Sequence, residues 1–345
     1  MYPIAIVGNN VTAWAAWRAC RLAGFDHVDV YHRPGEPLPH QSVVTLPACH
    51  SKVLQALNCG DDLLQAALAP DRQQTRLIQS AYLIAELPLG KFVHDRYQAP
   101  HLNIEYTALL TLLQGTQTTT EAPALAQLQR DYTLVLVTEP LEVQTTPSRC
   151  WYAEHARAES RTTANISWLG QDVWGWQLAT AQKSHYFFVT ADGNPPQAQS
   201  CHPSIQAAAN SAEPIFNLVP PAAEVREHWY EGRVVYLGDA CYPPSLFLRE
   251  ASCTGVEDAW VLSRMLENYE EDYADALQQY EYYRRPRARK ILRAAQDQTT
   301  RANQPAIARR FLQHLNTALS SRFLPEIAMQ RIDWLYGYDC IRGFR

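Results

Sequence analysis

Glycine is scarce in this chain, 14 of 345 residues against a usual share of roughly 7%. Sites that grip dinucleotides consume glycines, so few such turns can be complete. No apolar run reaches the roughly 18 residues that a spanning helix needs, and no membrane span is expected. The chain opens directly on a strand-like run without a basic n-region or an apolar h-region, so export is not expected either. The eight cysteines, Cys20, Cys49, Cys59, Cys150, Cys201, Cys241, Cys253 and Cys340, include no C-x-x-C pair and no paired histidine spacing. That pattern speaks against a zinc centre and for a reduced, cytoplasmic protein, with no metal expected. Positive charge is not in excess: the formal net charge is -5, the pI is near 6.1, and the signs are interspersed. A nucleic-acid footprint would show a basic face, so no nucleic-acid partner is expected. The single basic cluster, Arg284 to Arg293, reads as a solvated helix face rather than a phosphate patch. No linker, repeat or low-complexity segment interrupts a length that suits one large domain or two intimate ones.

What is present centres on Gly232 to Ala259. Gly232 to Leu237 is a short β-branched run that predicts a buried strand, and Gly238-Asp239-Ala240 a tight turn after it. A loop with two prolines follows, and then Glu257-Asp258-Ala259 opens a helix with Trp260, Val261, Leu262, Met265 and Leu266 along one face. At the other end of the chain, Pro3 to Val7 predicts a strand, Gly8 a turn, and Thr12 to Ala23 a helix closed by Gly24. Val28 to Tyr31 is the next strand, which makes a βαβ start. Tyr132 to Val137 predicts another buried strand. Ile166 to Val189 alternates aromatic and polar residues and predicts antiparallel strands. Its Trp168, Trp174, Trp176, Tyr186, Phe187 and Phe188 suit sheet core and substrate box equally well.

These motifs together resemble the FAD-dependent aromatic hydroxylases, the group A flavoprotein monooxygenases that include salicylate and hydroxybenzoate hydroxylases. That family's second FAD fingerprint is a strand ending in Gly-Asp-Ala, a His-Pro pair, a Gly-Gln-Gly triplet and a helix carrying Glu-Asp-Ala. Gly238, Asp239 and Ala240 match the first part, Pro243 matches the proline, and Glu257-Asp258-Ala259 falls in register without a gap. Arg284-Arg285-Pro286-Arg287 and Ile332 to Asp339 resemble further family signatures, so the likeness runs from Pro3 to Asp339. It implies an α/β chain: a Rossmann-like FAD/NAD(P)-binding fold interleaved with an antiparallel β-sheet substrate domain, plus C-terminal helices. The expected ranges are 1–75, 100–160 and 230–300 for the Rossmann-like part, 76–99 and 161–229 for the sheet domain, and 301–345 for a helical end.

The contact positions depart from the family pattern together. Where the family carries Gly-x-Gly-x-x-Gly, this chain reads Gly8-Asn9-Asn10-Val11-Thr12-Ala13. The second glycine is the one whose missing side chain lets backbone approach the pyrophosphate, and it has become Asn10. His32 stands for the acidic residue that binds the ribose, and Asn103 for an arginine that contacts FAD. The family's Gly-Ala-Asp-Gly is replaced by Val137-Thr138-Glu139-Pro140, and Arg249-Glu250-Ala251 replaces the Gly-Gln-Gly beside the flavin ring. Tyr242 stands in the histidine position.

The resemblance implies an oxidoreductase of specialised metabolism acting on a small, aromatic substrate, with FAD binding weakened or lost and NAD(P)H as reductant only if FAD binds. The cofactor-binding expectation covers Gly8, Asn10, Ala13, His32, Asn103, Gly238, Asp239, Ala240 and Pro243; candidates for acid–base work are Arg249, Glu250, Tyr242 and His32. The alternative is a flavin-free member that uses the vacated pocket for a non-redox reaction, for ligand binding or as an accessory subunit.

Overall fold

The structure, a computed structural model, describes residues 2–33, 42–140, 146–157, 163–217, 224–242, 252–269, 272–302 and 325–343. Its strands in chain order are β1 (Ile4–Val7), β2 (Val28–His32), β3 (Val43–Leu46), β4 (Arg72–Leu77), β5 (Leu83–Pro88), β6 (Leu102–Glu105), β7 (Thr120–Glu121) and β8 (Leu134–Val137). They continue with β9 (Thr146–Ala156), β10 (Ala164–Leu169), β11 (Val173–Ala179), β12 (Lys183–Thr190), β13 (Glu213–Asn217), β14 (Tyr230–Glu231) and β15 (Val234–Tyr236). The main helices are α1 (Val11–Leu22), α2 (Ala48–Ala56), α3 (Gly60–Ala66), α4 (Gly90–Tyr97), α5 (Tyr106–Gln114), α6 (Leu125–Asp131), α7 (Pro203–Asn210), α8 (Gly255–Asn268) and α9 (Tyr273–Ala302). Short helices at Pro325–Gln330, Asp333–Tyr336 and Cys340–Gly343 end the chain.

Continuous apolar runs make β1 and β8 strands that are buried on both faces, as parallel sheets require. They form the centre of a six-stranded sheet in the order β14-β15-β8-β1-β2-β7, parallel except for the β14–β15 hairpin. The second sheet has seven strands in the order β13-β9-β12-β11-β10-β4-β5, antiparallel except where β10 runs with β4. The chain is therefore α/β, a Rossmann-like layer interleaved with an antiparallel sheet. Strands β4 and β9, which begin inside the ranges read as Rossmann-like, pair in the antiparallel sheet. Gly175 of β11 permits the close approach to β12, since a Cβ there would lie 1.8 Å from the Phe187 carbonyl oxygen. Helices α2 and α3 are separated at Asn58, whose φ is 59°. No described helix is long and apolar enough to cross a membrane, and all eight cysteines are buried and outside disulfides.

The basic cluster differs from expectation. Arg284 is fully buried and Arg287 nearly so, which corrects the reading of these two as a solvated face. Arg284 pairs through Nε with Asp258 Oδ1 at 2.6 Å and through Nη2 with Glu257 Oε2 at 2.8 Å. Arg287 Nη2 meets Glu257 Oε1 at 3.0 Å. Sequence spacing on one helix could not reveal this, because both carboxylates come from the first turn of α8. Burial alone would raise the Glu257 carboxyl, but Arg287 and Arg284 outweigh it and hold it well below the usual carboxylate range. The C-terminal signature closes the same network: Arg287 Nη1 donates to the Trp334 carbonyl at 2.6 Å, and Arg284 Nη1 to the Tyr338 hydroxyl at 3.0 Å.

Breaking a buried pair leaves charges without compensation, and such losses run to about 3–5 kcal/mol. Arg284→Met should lower unfolding free energy by about that amount in a urea titration; a loss below about 1 kcal/mol would show the network to be dispensable.

Candidate functional site

The turn after β1 is where a dinucleotide fold meets its ligand. Gly8 has φ +140°, and a Cβ there would sit 2.1 Å from Thr138 Oγ1, so only glycine fits. Asn10 then caps α1. Its Oδ1 accepts the Ala13 N–H at 2.9 Å, and its Nδ2 donates to the Thr138 carbonyl at 3.1 Å. The Asn9 N–H donates to Glu139 Oε1 at 2.8 Å, and the Val11 N–H donates to the Tyr106 hydroxyl. The amides of Asn9, just before the cap, and of Val11 and Ala13 in the first turn therefore meet acceptors supplied by the chain itself. Orphan donors at a helix N-terminus are what an anion ordinarily satisfies.

Across from this turn, Gly238-Asp239-Ala240 forms a 3₁₀ turn after β15. The Gly238 N–H donates to Asp258 Oδ2 at 3.0 Å, and Tyr242, fully enclosed beside Trp229, donates its hydroxyl to the same carboxylate. Thr12 of α1 fills the space beside Gly238 and Gly255, where a Cβ would come within 2.7 and 2.0 Å of its Oγ1. The first turns of α1 and α8 are thus locked together. Part of Asp239 still touches solvent. Burial, then Glu139 and Asp258, nevertheless push its carboxyl up to about 7.

The remaining sequence candidates are spread out. His32 ends β2, where its Nδ1 lies 3.1 Å from Thr119 Oγ1. Asn103 is fully buried within β6, and its Nδ2 donates to Asn165 Oδ1 at 2.6 Å and to the Ala179 carbonyl at 2.9 Å, tying the β3–β6 pair to the seven-stranded sheet. Tyr106, three residues on and first in α5, is the side chain that reaches α1. The switch from strand to helical spacing, with Leu109 and Leu113 buried, marks that position in the sequence. Tyr242 is committed to Asp258, and Ala13 and Ala240 line the two turns. Pro243, Arg249 and Glu250 lie outside the described residues.

A chain of side chains unforeseen from the sequence crosses the junction of the layers. Glu105, at the end of β6, accepts from Thr180 Oγ1 at 2.7 Å and faces His185 Nε2 at 2.8 Å. His185 Nδ1 lies 2.8 Å from the Tyr152 hydroxyl, which donates to Glu154 Oε2 at 2.7 Å, and Lys183 pairs with Glu154 Oε1 at 2.6 Å. Burial lowers the His185 pKa, and Glu105 opposes that shift. Beside this path Tyr152, Trp176, Leu178 and Phe187 pack with Val43 of β3. An apolar wall with an ionisable edge suits a flat ligand carrying a polar group. Cys49, His50 and Glu257 also bring ligand-type atoms within 4.8 Å of one another. Both oxygens of Glu257 are already claimed by guanidinium groups, so this cluster reads as part of the ion network.

Asp239 has a raised folded pKa, so its contribution to stability is full below the unfolded value of about 4 and is lost as pH rises through about 7. Asp239→Asn should therefore gain on the wild type in urea stability between pH 4 and pH 7.5. A difference that does not change with pH would contradict the shift.

No family model matches the chain. The 6-hydroxynicotinate 3-monooxygenase of Bordetella bronchiseptica is 23% identical over 97% of this chain and 95% of its own length. A 3-amino-4-hydroxybenzoate 2-monooxygenase of Streptomyces platensis is 32% identical, over 32% of this chain and 26% of its own length. Among solved structures, Klebsiella pneumoniae HpxO complexed with FAD superposes with a TM-score of 0.77 at 16% identity, covering 97% of this chain and 98% of that one. A salicylate hydroxylase substrate complex gives a TM-score of 0.72 at 13% identity, over 98% and 96% of the two chains. Its paired sheets thus give the chain the fold of HpxO and salicylate hydroxylase, and its full-length sequence likeness is to an aromatic-ring monooxygenase.

Proposed function

We propose that this protein handles a small aromatic compound as a hydroxylase-type oxidoreductase in which FAD is held weakly or not at all. The observation that carries this reading is Asn10 in the place of the second glycine. Its side chain caps α1 from within, with Oδ1 on the Ala13 N–H and Nδ2 on the Thr138 carbonyl. Backbone that would approach a pyrophosphate instead carries an amide already engaged on both sides. Family-style FAD, where bound, would supply transfer of one oxygen atom of O2 to the substrate, with NAD(P)H as the electron source and the other oxygen atom leaving as water. The turn present here does not fit a tightly held FAD, so the chain's own groups are what remain to be assigned.

Tyr152 and Trp176, backed by the buried Phe187, offer a ligand an aromatic surface, and Glu105, His185 and Tyr152 can orient a polar substituent and hold or move a proton at its edge. The second reading, a flavin-free member working in the vacated pocket, draws on Asp239. A carboxyl poised near neutrality beside a second carboxylate is a pairing that supports acid–base work.

Asn10→Gly should leave the fold intact, because glycine in place of an asparagine cap costs only a few tenths of a kcal/mol. In a flavin-fluorescence titration the wild type is expected to bind FAD more weakly than about 1 µM, and the variant roughly tenfold more tightly than the wild type. Nanomolar FAD binding by the wild type sinks the proposal.

A further inference from the structure

We propose that the Glu139 carboxylate is a tethered anion standing in the phosphate position of the dinucleotide fold, so that a phosphate-bearing ligand can enter only by displacing it. This rests on the reading of weakened FAD binding and names the group responsible for it. Glu139 Oε1 accepts the Asn9 N–H at 2.8 Å, 130 residues away in the chain. An acidic oxygen at that place is stabilised by the positive end of α1, as a bound phosphate would be.

The backbone holds Glu139 there. Strands β1 and β8 run parallel with Val7 opposite Val137, and the Thr138 N–H donates to the Val7 carbonyl at 3.1 Å. Residue 139 therefore leaves the sheet beside the Gly8-Asn9 turn. Pro140 biases the residue before it towards extended backbone, and Arg33 Nη1 donates to the Pro140 carbonyl. Glu139 is thus fixed from both sides before any ligand arrives. A tethered group of this kind competes at a high effective concentration, which short tethers place in the millimolar range. A phosphate entering the turn must remove the Asn9 hydrogen bond and then lie beside the displaced carboxylate and Asp239, which Glu139 already influences. Asn10 and Tyr106 fill neighbouring donors without carrying charge there, so Glu139 is the group whose removal changes both the geometry and the sign of the recess.

The test is calorimetric titration of ADP into wild type, Glu139→Gln and Glu139→Ala at low ionic strength, with circular dichroism to establish that each is folded. Glutamine keeps the shape and removes the charge; alanine removes both. Wild type should bind ADP weakly. Glu139→Ala should gain roughly tenfold or more, the scale expected for losing one charge-assisted contact, and Glu139→Gln should fall between them. Equal, weak ADP binding by all three overturns this proposal while leaving the reading of weak FAD binding in place, since Asn10 or Tyr106 would then be the obstacle. If Glu139→Ala does not fold, Glu139→Gln decides alone: no gain over wild type overturns the proposal. Tight ADP and FAD binding by the wild type removes both.

Discussion

Two carboxylates at the start of α8 and two guanidinium groups on α9 form the constraint on which the rest depends. Glu257 and Asp258 are fully buried, and burying them uncompensated would be prohibitive. Arg284 and Arg287 neutralise them and reach on to the carbonyl of Trp334 and the hydroxyl of Tyr338. Helix α9, the C-terminal segment and the turn at Gly238 therefore converge on one charge-balanced cluster. Asp258 is the hinge of it, because its second oxygen takes the Gly238 N–H and the Tyr242 hydroxyl.

That cluster makes the packing of α8, α9 and the turn at Gly238 independent of the residues in the turn after β1. The Gly-Asp-Ala turn and the Glu-Asp-Ala helix hold each other in place without any ligand. The Asp239 carboxyl of the same turn lies beside Glu139 and Asp258, and its pKa is raised towards neutrality. On the opposite side, the donors of α1 meet Asn10, Glu139 and Tyr106. A scaffold that is charge-balanced within itself sets little demand on the residues that face a ligand, so those residues are free to change.

Much of the fold was legible because its signals are local. The apolar runs over Pro3–Val7 and Tyr132–Val137, read as strands, became β1 and β8, and the alternation over residues 166–189 became β10, β11 and β12. Long-range pairing was not legible. Arg284 and Arg287 looked like solvated charge because their partners lie on another helix. Asn103 was matched to an arginine position by counting residues, whereas the structure buries it in β6 and brings Tyr106 to α1. Glu139 stood out only as part of the segment replacing Gly-Ala-Asp-Gly, since its contact spans 130 residues. The chain from Glu105 through His185 to Tyr152 joins three separate strands, and no spacing in the sequence could assemble it. Arg249 and Glu250, prominent in the sequence, lie outside the described residues.

A visible absorbance scan of the purified protein, incubated with FAD and then freed of excess, is the most direct test of a cradle filled by the chain's own side chains. A protein that stays colourless across the flavin bands is the expected result. A stoichiometric flavin band surviving removal of the excess would contradict it, and would mean that Asn10 and Glu139 yield to the cofactor.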